Sequence, residues 1–514
     1  MTLARSGESP ATSGRLDDRH VSRGSLSVTE FLNRALSLTH VIVPICAAAC
    51  IAGLTVWSDS SQREFLLAIL AVVIPLPIIV RILQRQFDPF EPIALLSLSF
   101  FLLFVLRPIA HLAYDEMTYG GMSIDPGFDS ALLVASVGVI ALYSGYAMRF
   151  GRGIARRLRP LPSMLKPDAT IAIAGALLLV GLVLYLLYIE QVGGLKVAGK
   201  LLRGRDPLEG LVISQTTAYF RFGPFLAIPA TLLLFEAAAA KRRALFVLVS
   251  AVGTGLFVVL LTAPRGDRLW LMLLVMGVFV LPYLRVQRRP KMRTLALLGV
   301  LWFAFGITFL QEVRVPVVRE GPPIELFKRA AANPVRGWRD FILGADTEMF
   351  PILALETDRV PTTQPHEPGL TIVSLVTTWI PRRLYVSKPT EPDTKVYEML
   401  FPLRASVSRA GTSPSIFGVF YYDSGLVGVA IGALLFGILA RALFEYLVIH
   451  PTNVGVRLLY AATLPLIAVT VRGSPTDTIG RMAYIVLPII VALWWTGLRH
   501  PLGAHRGSPV PARR

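Results

Sequence analysis

Pro381-Arg382-Arg383-Leu384-Tyr385-Val386-Ser387-Lys388-Pro389 lies inside the one long polar interval of this chain, Glu312 to Gly411. On either side the sequence is apolar, in blocks of roughly 17–25 residues, the length that crosses a hydrocarbon core of about 30 Å. About nine such blocks precede the interval and about three follow it. A connector of about 100 residues between membrane helices is unusual for a plain loop. The interval reads as a small folded lid or as the functional face. The chain around it reads as an all-α polytopic integral membrane protein, with about twelve transmembrane helices and a large, late extracytoplasmic loop.

Composition agrees with that reading. Of 514 residues, 54% are hydrophobic and only 16% charged, against about 25% charged in a typical soluble domain; mean hydropathy is +0.60. The formal net charge of +18 would raise nucleic acid as a partner in a soluble protein. Here the basic residues fall mostly in short loops and tails, where membrane topology wants them, and no zinc-finger spacing or basic–aromatic alternation accompanies them. Cys46 and Cys50 share one face of the first expected span. Without histidine or carboxylate company they read as small packing residues rather than a metal site.

The order along the chain is a polar tail over 1–38, helices with short loops over 39–311, the polar interval over 312–411, further helices over 412–498 and a basic tail over 499–514. The first tail lacks the short basic region and cleavable apolar core of a signal peptide. Expected spans lie near 40–57, 63–80, 92–112, 129–148, 169–189, 218–239, 244–262, 267–284, 294–311, 416–440, 458–471 and 479–498. Basic residues crowd alternate loops, for example Arg149, Arg152, Arg156 and Arg157, then Lys241, Arg242 and Arg243, then Arg285, Arg288 and Arg289. That alternation puts both termini in the cytoplasm and the 312–411 interval outside.

Some basic residues break the alternation. Arg203 and Arg205 lie in an outer loop, Arg265 and Arg268 in the sharp turn Ala263-Pro264-Arg265-Gly266-Asp267-Arg268, and Arg472 beside Gly473-Ser474-Pro475. A charge at membrane depth costs roughly 2.5–3.5 kcal/mol on insertion scales unless paired or hydrated. Snorkelling to headgroups explains any one of them. The set, joined by Arg382, Arg383 and Lys388, reads as an anion site, since arginine's planar fork fits phosphate oxygens. Arg107 and Arg221 add charges near outer span ends. Trp379, Tyr385, Tyr421 and Tyr422 are the aromatic faces a glycan would stack on, with Trp379 and Tyr385 equally suited to the headgroup layer. The interval has no HExxH, CxxC, GxSxG or glycine-rich phosphate loop. His366, between prolines, is a candidate base because histidine is the side chain whose ordinary pKa lies near neutrality; Asp423, Asp477 and Glu348 are the other candidate bases, and the sequence does not rank them. Asp115-Glu116 reads as a surface turn.

In the Arg265 turn, the late outer interval, the run Ile380 to Pro389 and the stretch Ser413 to Gly428, the chain resembles the bacterial O-antigen and exopolysaccharide polymerases, which join oligosaccharide repeat units. It departs from them at Ser387, where many relatives carry an acidic residue, and at Asp423, where they often carry asparagine. The resemblance implies a glycosyltransferase of the bacterial plasma membrane acting on polyprenyl-diphosphate-linked oligosaccharide at the outer face, with no cofactor and no metal. It implies catalytic roles for Arg265, Arg382, Asp423 and His366. Arg203, Arg205, Arg268, Arg383, Lys388 and Arg472 would hold the diphosphate, and Trp379, Tyr385, Tyr421 and Tyr422 the glycan. It admits membrane lipid, a chain-length regulator and a flippase of the same pathway as partners, and no nucleic acid. A glycan ligase with similar topology and a flippase of lipid-linked oligosaccharide are the alternatives. The absence of an evident internal repeat and the scarcity of mid-span charges weigh against the flippase.

Overall fold

A computed structural model describes residues 62–194, 220, 223–240, 249–250, 252–254, 276–277, 280–285, 334–378, 380, 384–407 and 412–498. The expected span at 40–57, most of those between 244 and 311, the basic loop after 194 and both tails lie outside the described residues. So do Arg203, Arg205, Arg265, Arg268, Trp379, Arg382 and Arg383.

The described chain is mostly helical. Six stretches are long and apolar enough to cross a membrane: α1 (Gln62–Leu83), α2 (Pro92–Ala113), α3 (Asp125–Ala147), α4 (Pro167–Gln191), α5 (Ser415–Ile449) and α6 (Thr478–Thr496). Gly223–Ala238 and Val454–Thr470 are shorter apolar helices packed among them. Proline in the first turn starts α2, α3 and α4, where its missing N–H costs nothing. Their outward faces are aliphatic, with Leu179, Val427, Ile431, Leu439 and Leu487 all exposed. That is the surface a lipid environment favours and water does not.

The central pair is α3 against α5. Glycines let the two backbones meet: no Cβ fits at Gly145 beside the Leu434 carbonyl or at Gly437 beside the Leu142 carbonyl. Gly138 leaves its space to the Phe417 ring, which stacks on Phe100 of α2 at 5.0 Å. α5 is not one rod. Ser424 and Gly425 leave helical geometry, Gly425 at φ 61° and ψ −150°, a region glycine alone enters freely. The first arm folds back on the second, so that the Phe420 ring lies 2.6 Å from where a Gly432 Cβ would stand. In a straight helix twelve residues would separate them by about 18 Å.

Within the described part of 312–411 the chain folds into short helices: Pro334–Ile342, Met349–Arg359, Leu370–Thr377, Pro392–Leu400 and Pro402–Val407. Met349–Arg359 is the surprise in a segment read as polar, because every residue from Met349 to Thr357 is buried. It packs against α3 and the first arm of α5, with Phe350 edge-on to Phe128 at 4.8 Å. Thr357 Oγ1 donates to the Gly127 carbonyl at 3.1 Å. This helix fastens the interval to the Asp125 end of α3. The opposite end of α3, about 34 Å away along 23 residues, carries Tyr146.

Candidate functional site

Arg107 and Glu348 define the site. A π-helical turn, Leu102–Leu106, immediately precedes Arg107 in α2, a feature often found near functional positions. The Arg107 side chain is fully buried. Its Nε donates to His111 Nε2 at 2.9 Å. With Nε2 accepting, the neutral ring carries its proton on Nδ1, which donates to the Glu116 carbonyl at 2.6 Å. Arg107 Nη1 donates to the Ile342 carbonyl, to the Gly344 carbonyl at 2.8 Å and to Thr347 Oγ1 at 2.8 Å. The guanidinium thus clamps the turn that leads into Met349–Arg359, and its hydrogen-bond partners there are neutral acceptors.

Glu348 is the residue immediately before that helix. Its carboxyl accepts from the Tyr119 hydroxyl and from the Ser413 backbone N–H, and it feels the charges of Arg472 and Arg107. Burial pushes its proton affinity up, and these donors and cations only partly pull it back, so the carboxyl is held above the usual carboxylate range. Glu348 is only partly buried. Tyr119 stands on a two-stranded hairpin, Thr118–Tyr119 with Met122–Ser123. The hairpin turns at Gly120, whose φ is 61°, and docks on the Phe401 ring, 2.6 Å from where a Cβ would be. Burial first, and the Glu348 carboxyl second, push the Tyr119 hydroxyl above its ordinary pKa. It stays a proton donor.

A second cluster lies where α5 bends. Tyr422 donates to Glu367 Oε1 at 2.9 Å, and Lys395 pairs with Glu367 Oε2. His366 meets Tyr421 edge-on at 5.4 Å and fills the space beside Gly425, its Nε2 3.2 Å from a Cβ placed there. Tyr421 donates to the Val360 carbonyl at 3.1 Å. Asp423 Oδ1 accepts from the Thr371 backbone N–H at 2.9 Å. Between the two clusters Glu356 is fully buried, with both carboxyl oxygens unpartnered. One of them lies 2.6 Å from where a Cβ would stand on Gly418. Burial alone pushes its pKa well above that of an ordinary carboxyl, so it holds its proton more tightly than an exposed glutamate does.

The residues singled out in the sequence therefore divide. The charge of Arg472 acts on Glu348 at the first cluster, and the Arg472 carbonyl accepts from the Ser415 N–H at 3.3 Å. His366, Asp423, Tyr421 and Tyr422 gather at the second. The Tyr422 ring is buried and its hydroxyl is engaged by Glu367, so it supports the bend rather than opening a stacking face. Lys388 is in neither cluster: its Nζ donates to the carbonyls of Thr378 at 3.1 Å and Ile380 at 3.3 Å. Tyr385 is half-buried three residues before it. The side chain of Asp477 lies outside the description.

Sequence reasoning missed Tyr119, Thr347, Glu356 and Lys395. Tyr119 has no local signal, because its partner is 229 residues away. Glu356 did have one: it is a lone acid after the run Met349-Phe350-Pro351-Ile352-Leu353-Ala354-Leu355. Comparison of the chain with known protein families, with curated proteins and with solved structures finds no match to any of them.

Proposed function

We propose that the chain is a membrane glycosyltransferase that polymerises polyprenyl-diphosphate-linked oligosaccharide repeat units at the outer face of a bacterial plasma membrane. In this reading it has about twelve spans, both termini lie in the cytoplasm and the 312–411 interval is extracytoplasmic. The carrying observation is Glu348: a partly buried carboxyl of raised proton affinity, bonded to Tyr119 and Ser413 and flanked by Arg472 and Arg107. A general base works best with a pKa near the operating pH, and this environment moves Glu348 in that direction.

Glu348 takes the proton from the acceptor sugar hydroxyl as its oxygen forms the new bond to the anomeric carbon. The bond from that carbon to the phosphate oxygen breaks, and its electron pair leaves with the lipid diphosphate. Arg472 faces that developing charge, supplemented by the arginines named from the sequence, Arg265, Arg268, Arg382, Arg383, Arg203 and Arg205. Arg107 positions Glu348 by clamping the turn before it. The glycan would run toward the bend of α5, where Tyr421, His366 and Asp423 lie.

The full chain in proteoliposomes, given a polyprenyl-diphosphate-linked oligosaccharide, should produce a ladder of polymer. Its rate should rise with pH as Glu348 loses its proton. Transfer only to an acceptor without a lipid diphosphate would replace the polymerase reading with a ligase. Movement of the substrate between leaflets without bond formation would replace it with a flippase.

A further inference from the structure

The helix Leu370–Thr377, within the interval read as lying outside the membrane, is amphipathic the wrong way round for water. Its protein-facing side carries Leu370, Thr371, Ser374 and Thr377, all buried. Its outward side carries Ile372, 66% exposed, Val376, 68% exposed, and Val373. Aliphatic side chains outward and small hydroxyl residues inward is the arrangement of a helix surrounded by lipid and packed on neighbouring helices. Thr377 Oγ1 returns its proton to the Val373 carbonyl at 2.7 Å, as hydroxyls do where no water is at hand.

The two ends give an independent sign. Helix termini leave orphan backbone groups that water ordinarily satisfies. At the start Asp423 of α5 accepts from the Thr371 N–H; just past the finish Lys388 donates to the carbonyls of Thr378, the C-cap, and Ile380. Protein groups thus take backbone polar groups next to both ends, which a low-dielectric surrounding favours.

The helix packs on α5 and α6, both long enough to span, and Thr378 Oγ1 lies 3.6 Å from where a Gly480 Cβ would stand. The two helices it packs on also carry exposed aliphatic residues, Val427 and Ile431 on α5 and Leu487 on α6. Eight residues make about 12 Å of helix, too short to cross a bilayer.

We propose that Leu370–Thr377 is an in-plane membrane helix, seated in one leaflet, with Ile372, Val373 and Val376 in contact with acyl chains. The interval is then partly a membrane structure. The bend of α5, with His366, Tyr421 and Asp423, lies beside lipid rather than under open water. The proposal stands on the helix's own faces and ends and does not rest on the reaction assigned above.

The test uses the full chain in lipid nanodiscs, with Cys46 and Cys50 replaced by alanine. Bimane is attached at Ile372→Cys, at Val376→Cys and, as an exposed reference, at Thr362→Cys. Doxyl-labelled lipid should quench the probes at 372 and 376 several-fold more than the probe at 362, and aqueous iodide should do the reverse. Stronger quenching by iodide than by doxyl lipid at 372 and 376 overturns the proposal. Protection from both quenchers, with a dimer mass by native mass spectrometry, overturns it as well and assigns the face to a second copy of the chain. If Ile372→Cys does not fold, Val373→Cys on the same face gives the same reading.

Discussion

At the Tyr146 end of α3 and α5, Glu91 accepts from Arg81 at 2.8 Å and from Tyr146 at 2.9 Å, with Arg441 at 3.7 Å. Glu445 takes Arg152 through both oxygens, at 3.2 and 3.1 Å, and pairs with Arg441 as well. At the Asp125 end the same residue types are arranged otherwise. Arg107 is buried on backbone carbonyls, a threonine and a histidine, and Glu348 is held by a tyrosine and a backbone amide. One end cancels charge within the protein, so its groups are committed to holding helices together. At the other end Arg63 pairs with Asp125 and Asp129, but the Arg107–Glu348 cluster keeps a cation and a carboxyl near each other with neutral hydrogen-bond partners, a condition in which both can still act on something else. Cluster membership alone would not separate a structural network from a candidate site; the identity of each partner does.

Opposite substitutions at the two ends should have opposite effects. Glu348→Gln keeps shape and the bond to Tyr119 while removing the base. It should lower polymer formation by roughly 10²- to 10⁴-fold, the usual size of a general-base contribution, and leave the thermal midpoint of the purified protein within a degree or two of the parent. The mirror change, Glu91→Ala, leaves Arg81 and Arg441 near a vacated, buried position. It should cost about 3–5 kcal/mol of stability and leave the rate per folded molecule unchanged. Heating followed by size-exclusion chromatography reads the second effect, and the glycan ladder reads the first. If Glu348→Gln unfolds the protein while Glu91→Ala folds but fails to polymerise, the roles of the two ends are reversed.

A smaller effect tests what separates the clusters at the Asp125 end. Gly418 is the position on the first arm of α5 that makes room for Glu356, and a methyl there meets the carboxyl at 2.6 Å and Pro414 at 3.0 Å. Gly418→Ala should cost about 1–3 kcal/mol, the range for overpacking a tight core. It should also slow polymer formation, because the same arm follows directly on Ser413, whose backbone N–H bonds to Glu348. An equivalent change at Gly153, where nothing stands within 4 Å, should do neither.

Much of the helical layout was legible because hydrophobic length in a membrane protein is a direct physical constraint. The expected spans at 129–148 and 169–189 correspond to Asp125–Ala147 and Pro167–Gln191, and proline at each start explains the few residues of difference. The expected span at 416–440 is Ser415–Ile449 with a bend. Ser424-Gly425 looks in sequence like any small-residue step of a packed helix; the bend follows from Phe420 finding Gly432, which no local pattern announces. At the site, Arg472 and Glu348 were visible as a charge at a span end and one of four candidate bases. Their proximity, and the parts played by Arg107 and Tyr119, were not, since they depend on residues more than about 100 positions apart in the chain. The buried Met349–Thr357 run was hidden by averaging over an interval whose neighbouring residues are polar.

Glu356 supplies the smallest and most discriminating effect. Its folded-state pKa lies well above its unfolded value because burial opposes the charge and no cation offsets it. Between those two values the unfolded chain has released this proton and the folded chain has kept it. Folding stability from this group therefore falls as pH rises above the ordinary carboxyl range. Glu356→Gln removes the titration while keeping a neutral side chain of nearly the same shape. Relative to the parent, the thermal midpoint of the variant should shift upward as pH is raised from 5 to 8, with little difference between the two at pH 5. Glu445→Gln at the other end should show no such gain, because its carboxylate is stabilised by Arg152 and Arg441 and its loss leaves them without it. A Glu356→Gln advantage that shrinks with rising pH would mean the carboxyl is ionised in the folded protein and has a cation beside it. The contrast between an arginine-paired end and a proton-holding end would then be gone.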